Sequence, residues 1–422
     1  MVPIVGSRMY GRSWYTALSS VKMAAVYHLV VVTWLINPSR VLAYSVTEFR
    51  PASCPTDCLC GVGTSLSPLP VKGYFATVSC PNWKLAEYPA AVPPGTRILV
   101  LRGNALRSTA TTALPARLAE LDLSYNVIDD VTMTSPTHLL RHLDLQHNVV
   151  GSLSASSFAE TPRLDVLLLG YNRLTRVDVS WFRPLVDLRW LSLAGNRLST
   201  LKPDGFNGVL SHLTHLDLSH NALDRVPDDA LSGLVSLREL DLSHNRIGRL
   251  SRRSFAGLKV LERLDLSGNR LDDVPTEALK VFEGLNALVL DDNPLTSLPT
   301  RRLTGFAARL ISVSWMSRLR FVDVEAFFDV GRLTTVALHD NPRLAYVSEH
   351  FVGPLTTAAS IVDVLLHRSR LTIVGNLTRA LPALRQLTLF GNPLRCDCRN
   401  EWIQQTVIKS ARISYLRLSF AL

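Results

Sequence analysis

The chain lacks the short motifs that mark most catalytic and nucleotide-binding sites. Its 422 residues hold no HExxH, no phosphate loop, no GxSxG and no dinucleotide fingerprint. It lacks a long basic run as well. The net charge of +10, from 45 Lys+Arg against 35 Asp+Glu, is scattered and gives no reason to read a nucleic-acid protein. It lacks an apolar stretch of the roughly 20 residues that a membrane helix needs. Cysteine is missing from the whole middle of the chain: the six lie at 54, 58, 60, 80, 396 and 398. No cofactor and no metal site is expected from the residues present.

The ends do carry signals. Arg8, Arg12 and Lys22 precede the apolar run Ala24 to Ile36, and Val41-Leu42-Ala43 is a cleavage-site pattern. Residues 1–43 therefore read as a signal peptide, with Met23 an alternative start and an uncleaved anchor the competing reading. The expected mature chain begins near Tyr44. An even cluster of four cysteines after such a leader, Cys54, Cys58, Cys60 and Cys80, reads as disulfides in an oxidising compartment. Zinc is the weaker reading, because no histidine joins the cluster.

Between the cysteine groups the chain repeats. In Leu237 to Leu258, LRELDLSHNRIGRLSRRSFAGL, Leu237, Leu240, Leu242, Asn245, Ile247 and Leu250 fall at L-x-x-L-x-L-x-x-N-x-L-x-x-L. The asparagine slot recurs at Asn104, Asn126, Asn148, Asn172, Asn196, Asn221, Asn245, Asn269 and Asn293, then at Asn341 and Asn392. Ser317 and Ser369 are read as filling two degenerate slots, which gives about thirteen units. Ile311 and Val313 sit one position out of frame with Ser317, so a bulge or local irregularity is expected there. The pattern is that of leucine-rich repeats. It implies an α/β solenoid, a horseshoe with a parallel sheet on the concave face and irregular or short-helical convex segments. Phe158, Phe182, Phe206, Phe255, Phe327 and Phe351 should stack on the convex side of the core.

With its flanks included, the chain resembles the extracellular leucine-rich repeat proteins with cysteine-rich caps: Toll-like receptor ectodomains, Slit and the Nogo receptor. CPTDCLC, Cys54 to Cys60, is similar to their N-terminal cap. Cys396, Cys398 and Trp402 are similar to the start of their C-terminal cap. The resemblance implies the pairs Cys54–Cys60 and Cys58–Cys80. It also implies two further cysteines after Cys398, which are not there. The organisation expected is a signal peptide at 1–43, an N-terminal cap at 54–95, repeats at 96–391, and a truncated C-terminal cap and tail at 392–422. That last end should be poorly covered, and a membrane tether would belong to a longer form.

Three columns of side chains compete for function. Asp217, Asp241 and Asp265 share an outward strand position, as Asp122 and Asp144 do earlier. Neighbouring carboxylates at about 5 Å suit a retaining glycosidase, but an open face lacks the enclosing pocket. Calcium would need a fuller ligand cage. Arg173, Arg197, Arg246, Arg270, Arg318 and Arg370 each follow a slot residue and should line one lateral edge. That edge suits a sulfated glycan, although Asp224, Asp272 and Asp273 stand near enough to offset it. His147, His220 and His244 recur beside the slot and read as polar turn residues. Apolar outward residues are exceptional in this sheet, and Val166, Leu168 and Trp190 are such exceptions. With His215, Asp217, Glu239, Asp241, Arg263 and Asp265 alongside, they form the candidate ligand-binding surface. Asn376-Leu377-Thr378 is a glycan acceptor site. The function expected is non-catalytic recognition of an extracellular protein ligand, with matrix binding to sulfated glycan as the alternative.

Overall fold

Each unit contributes one short strand to the main sheet, and successive strands pair in parallel with a repeating register; Arg225–Val226 with Arg249–Leu250, and Ser297–Leu298 with Phe321–Val322 and Tyr346–Val347, make two smaller parallel sheets. In the computed structural model the strands are Ile98–Val100, Glu120–Asp122, His142–Asp144, Val166–Leu168, Trp190–Ser192, His215–Asp217, Glu239–Asp241, Arg263–Asp265, Leu285–Val289, Phe306–Ser312, Thr335–Ala337, Asp363–Leu365 and Gln386–Thr388. That makes thirteen, as the slot count implied. The chain divides into two units, residues 1–45 and 46–422, and the second is described here. The structure describes residues 54–405, apart from 56–57, 71–72, 83, 112–113, 136, 204, 207, 354–359, 396–397 and 404, together with strand residues 47–48 and 415–417. The expected signal peptide and Cys396 lie outside the described residues.

Alternation explains the core. In Glu239–Asp241 the middle Leu240 points inward and is 1% exposed, while its two neighbours face out. The return segments close the other side. All six phenylalanines of the expected column are buried, and Phe282 joins them at 5.5 Å from Phe255. Helix is scarce among the described residues: a 3-10 turn at Val179–Phe182, single turns at Thr276–Leu279 and Leu377–Ala380, and helical residues at 401–403 and 405.

The slot asparagines couple the units. Asn245 Nδ2 donates to Leu218 O and Leu242 O at 3.0 Å each, and its Oδ1 accepts from Leu223 N at 3.0 Å. One amide thus ties its own turn to the preceding unit and satisfies itself in the interior. The residue before each slot is left-handed: Tyr125, His147, Tyr171, His220, His244, Asp292, Trp315, Asp340 and Arg368 all have φ between 51° and 59°. Side chains rarely adopt that conformation. Glycine stands there at 195 and 268, where a Cβ would come within 2.5 Å of the Tyr171 ring and of His244.

That left-handed marker corrects the sequence reading at the tenth unit. Trp315 precedes Met316, so Met316 occupies the slot, buried, while Ser317 is exposed. The irregularity expected there is present, but it is not a bulge at Ile311 or Val313. Leu288, Ile311 and Val336 are in register, and Ile311 and Val313 are fully buried. The extra residue lies in the turn instead. This puts Leu319 and Val322 back in phase with the core, and it made Ser317 look like the slot.

Both ends are covered. Cys54–Cys60 and Cys58–Cys80 are bonded as the resemblance implied. They hold the antiparallel hairpin Leu59–Thr64 and Tyr74–Ser79, whose second strand pairs in parallel with Ile98–Val100. At the other end the expected poor cover is not what is seen. Trp402 and Ile403 are buried, and Trp402 Nε1 donates to Val374 O at 2.8 Å. Asn400 bonds Thr372 O and Arg395 O, and Tyr415–Arg417 adds a parallel strand beside Gln386–Thr388. Cys398 is a free, exposed thiol.

Candidate functional site

The outward positions of the middle strands form two rows across the sheet face. The first runs Val166, Trp190, His215, Glu239 and Arg263 in register. Trp190 is half-buried, and its ring stacks on His215 at 4.2 Å and 14°. Both nitrogens of the His215 ring are engaged too: Nε2 lies 3.5 Å from Glu239 Oε1, and Nδ1 is 2.8 Å from Thr214 Oγ1. The His215 contact holds the Glu239 carboxyl below its ordinary range. Arg263 pairs with Asp265 at 3.1 Å.

Val166 departs from the expectation. It is fully buried, flanked in register by the rings of His142 and Trp190, and offers no surface to a ligand. Of the three apolar exceptions, Leu168 and Trp190 remain accessible, both half-buried.

The second row is Leu168, Ser192, Asp217, Asp241 and Asp265. Each aspartate accepts the backbone N–H two residues on: Ser219, Ser243 and Ser267, at 2.8 to 3.0 Å. Asp122 and Asp144 do the same with Ser124 and Gln146. The column is therefore built as a set of turn caps, which explains why Leu-Asp-Leu-Ser recurs. Burial first, then the charges of Asp265 and Asp217, push the Asp241 carboxyl up to about 7. Asp291 extends the acidic strip. Burial lifts its carboxyl to about 6 although Ser312 Oγ and Ser314 N both donate to it. Sequence reasoning missed Asp291 because Val289 holds the aligned position and the acid follows two residues later.

The exit edge of the sheet, where each strand turns into its return segment, carries rings and arginines. Tyr125, His147 and Tyr171 stack at 4.1 and 4.4 Å, with Arg102 over Tyr125, and His220 stacks on His244 at 4.3 Å. The histidines are turn residues, as expected. Beside them Arg173, Arg197, Arg246, Arg270, Arg318 and Arg370 are all exposed. None forms an ion pair among the described residues, and Asp273, expected to offset them, pairs with Arg302 instead. Arg318 stands one residue further from its slot than the others, because the slot is Met316.

His339, Asp340 and His367 make the nearest approach to a metal-ligand set among the described residues. Their geometry argues against one. The two imidazoles are stacked at 4.5 Å and 7°, so their in-plane lone pairs run side by side and do not converge. The stack continues to Phe390 at 4.5 Å. Asn376 caps the helical turn Leu377–Ala380, accepting from Arg379 N at 3.2 Å and from the Thr378 hydroxyl at 2.8 Å. No helix among the described residues is long and apolar enough to cross a membrane.

A family model described as leucine rich repeat matches residues 138–198, 188–247 and 236–295. Podocan-like protein 1 of Homo sapiens is 33% identical over 157 residues, covering 36% of this chain and 31% of that protein. Lumican of Gallus gallus is 28% identical over 199 residues, 46% of this chain and 55% of lumican. The chain thus spans about half or less of the length of these relatives. A chain in the octameric complex of Latrophilin 3, Unc5D and FLRT2 shares the fold, with a TM-score of 0.50, 22% identity, and coverage of 87% of this chain and 93% of that one.

Proposed function

The chain is a leucine-rich repeat protein with a disulfide-bonded cap before its first unit, and from that premise we propose a non-catalytic extracellular recognition module, receptor-like or adhesive, secreted or held at the cell surface. Its protein ligand binds on the sheet face. The observation that carries this reading is the row Trp190, His215 and Glu239, an aromatic anchor with a polar neighbour at each step. Leu168 and the acidic strip Asp217, Asp241 and Asp265 supply the rim, which suits a ligand with a basic patch. Disulfides and relatives named as lumican and podocan-like protein support an extracellular setting.

The test begins with a panel of extracellular proteins probed for binding to the intact chain. For the partner found, Trp190→Ala should cost about 2 kcal/mol of affinity, roughly a thirtyfold change, with the fold unaltered. Asp241→Lys should slow association and alter its salt dependence. Unchanged affinity in a folded Trp190→Ala protein removes the sheet face as the site.

One observation favours the second reading, a matrix protein that binds sulfated glycan. The exit-edge arginines are exposed and free of ion pairs among the described residues. Under that reading, heparin retention is strong and salt-sensitive, and it falls in an Arg246→Glu, Arg270→Glu double variant. Asn376 is proposed as a glycan acceptor, checked by a mass shift on enzymatic deglycosylation.

A further inference from the structure

The opposite edge, where the chain enters each strand, carries a pattern that neither reading uses. Arg97, Arg141, Arg189 and Arg238 are each the residue immediately before a strand, and they occupy every second unit. The units between them hold Ala119, Asp165, Thr214 and Glu262 at the same position. The result is a row in which arginine alternates with a neutral residue, a carboxylate, a neutral residue and a carboxylate.

The two carboxylate positions are filled from within. Asp165 pairs with Arg141 at 3.2 Å, and Glu262 pairs with Arg238. The two neutral positions are where the edge opens. One cleft is lined by Arg97, Arg117, Arg141 and Leu139, the other by Arg189, His212, Thr214, Arg238, Val235 and Val260, with His212 standing where Arg117 stands in the first. Arg97, Arg117 and Arg189 form no ion pair among the described residues. Arg141 and Arg238 have one carboxylate each, and a guanidinium with five N–H donors can hold a second. Leu139, Val235 and Val260 are 44%, 54% and 47% exposed beside these charges.

We propose that these clefts are two copies of one site, each taking a side-chain carboxylate from an extended acidic peptide of a partner protein. Asp165 and Glu262 show which group the row accepts, because they already occupy the equivalent positions in adjacent units. The exposed aliphatics select a peptide over a sulfated sugar, which would leave them uncovered. The neutral row positions that the clefts adjoin, Ala119 and Thr214, are four units apart. At about 4.8 Å per strand that is about 19 Å, close to six residues of extended chain at about 3.3 Å each. The partner segment therefore carries acidic residues six apart with aliphatic residues between. This site is independent of the sheet-face and exit-edge readings.

The probe is a labelled synthetic peptide of alternating valine and threonine with two glutamates six residues apart, titrated by fluorescence anisotropy against the full chain at low salt. Thr214→Asp gives the second cleft a carboxylate of its own and should weaken binding at least tenfold. Arg189→Gln should do the same. Thermal midpoints identify any variant that fails to fold, and Val235→Asp serves as a second surface change. A peptide with its glutamates three apart should bind at least fivefold more weakly. Equal binding to folded Thr214→Asp and wild-type protein overturns the proposal. So does displacement of the peptide by a heparin-derived oligosaccharide whose own binding is indifferent to Val235→Asp.

Discussion

The regular run of units one to eight and the junction of units nine and ten solve the same problem differently. From Asn104 to Asn293 every slot is an asparagine, and the strands are three residues long until the ninth. Later the slots read Met316, Asn341, Ser369 and Asn392. At Met316 the amide rung is gone, and Asn293 N meets the Met316 sulfur at 3.3 Å. There the sheet itself is longer: Leu285–Val289 pairs with Phe306–Ser312, from Leu285 opposite Ala308 to Val289 opposite Ser312. Adjacent turns can be tied by one buried amide or by extra backbone pairing. A solenoid needs only that each neighbour interface be sufficient.

The sharpest way to break this comparison is to put the later solution into the earlier region. Asn245→Met removes four hydrogen bonds where the flanking strands have no extra length; it leaves the buried Leu223 N without a partner, while Leu218 O and Leu242 O keep the amides of Asn221 and Asn269. Urea unfolding should show a loss of about 3 kcal/mol. A loss below about 1 kcal/mol would mean the rung is dispensable everywhere.

A smaller effect comes from the acidic column of the regular region. The Asp241 carboxyl is raised to about 7, so its contribution is fully present below its ordinary value near 4 and is lost as pH rises through 7. Asp241→Asn keeps the oxygen that caps Ser243 and removes the charge. It should leave stability at pH 4 unchanged and add about 2 kcal/mol at pH 8. Thermal midpoints of both proteins across that range decide it, and a constant difference at all pH values contradicts it.

The smallest effect sharpens the contrast from the other side. Ser369 reaches Leu338 O only at 3.5 Å, whereas the Asn341 and Asn392 amides reach their carbonyls at 2.8 to 3.0 Å. Ser369→Asn should add about 0.5 to 1 kcal/mol in the same unfolding assay.

How much of this was legible depended on whether a residue's role is set within its own unit. Leu240, Phe255 and Asn245 could be assigned because their spacing alone fixes which way they point. Met316 could not, because Leu319, Val322 and Phe327 all kept phase with Ser317, and only the backbone at Trp315 reveals the shift. Val166 occupies an outward strand position, as its spacing required, but its burial depends on neighbours contributed by other units. Trp190 was legible as an exception, but its contact with His215 was not. The entry-edge row escaped notice for the same reason. Arg189 and Thr214 are unremarkable in sequence, and their meaning lies in the alternation across units that the register imposes.

The disulfide-bonded hairpin at the start has a consequence for how the molecule is made. Its second strand, Tyr74–Ser79, is paired on one side with Leu59–Thr64 and presents its other side to Ile98–Val100. As the chain is synthesised this hairpin emerges before any repeat, and it forms from contacts close in sequence. It then acts as a seed. Each later strand is laid down on an edge that already exists, as a crystal grows by addition to a face. The first edge available to the parallel sheet is therefore one that covalent bonds already hold in place.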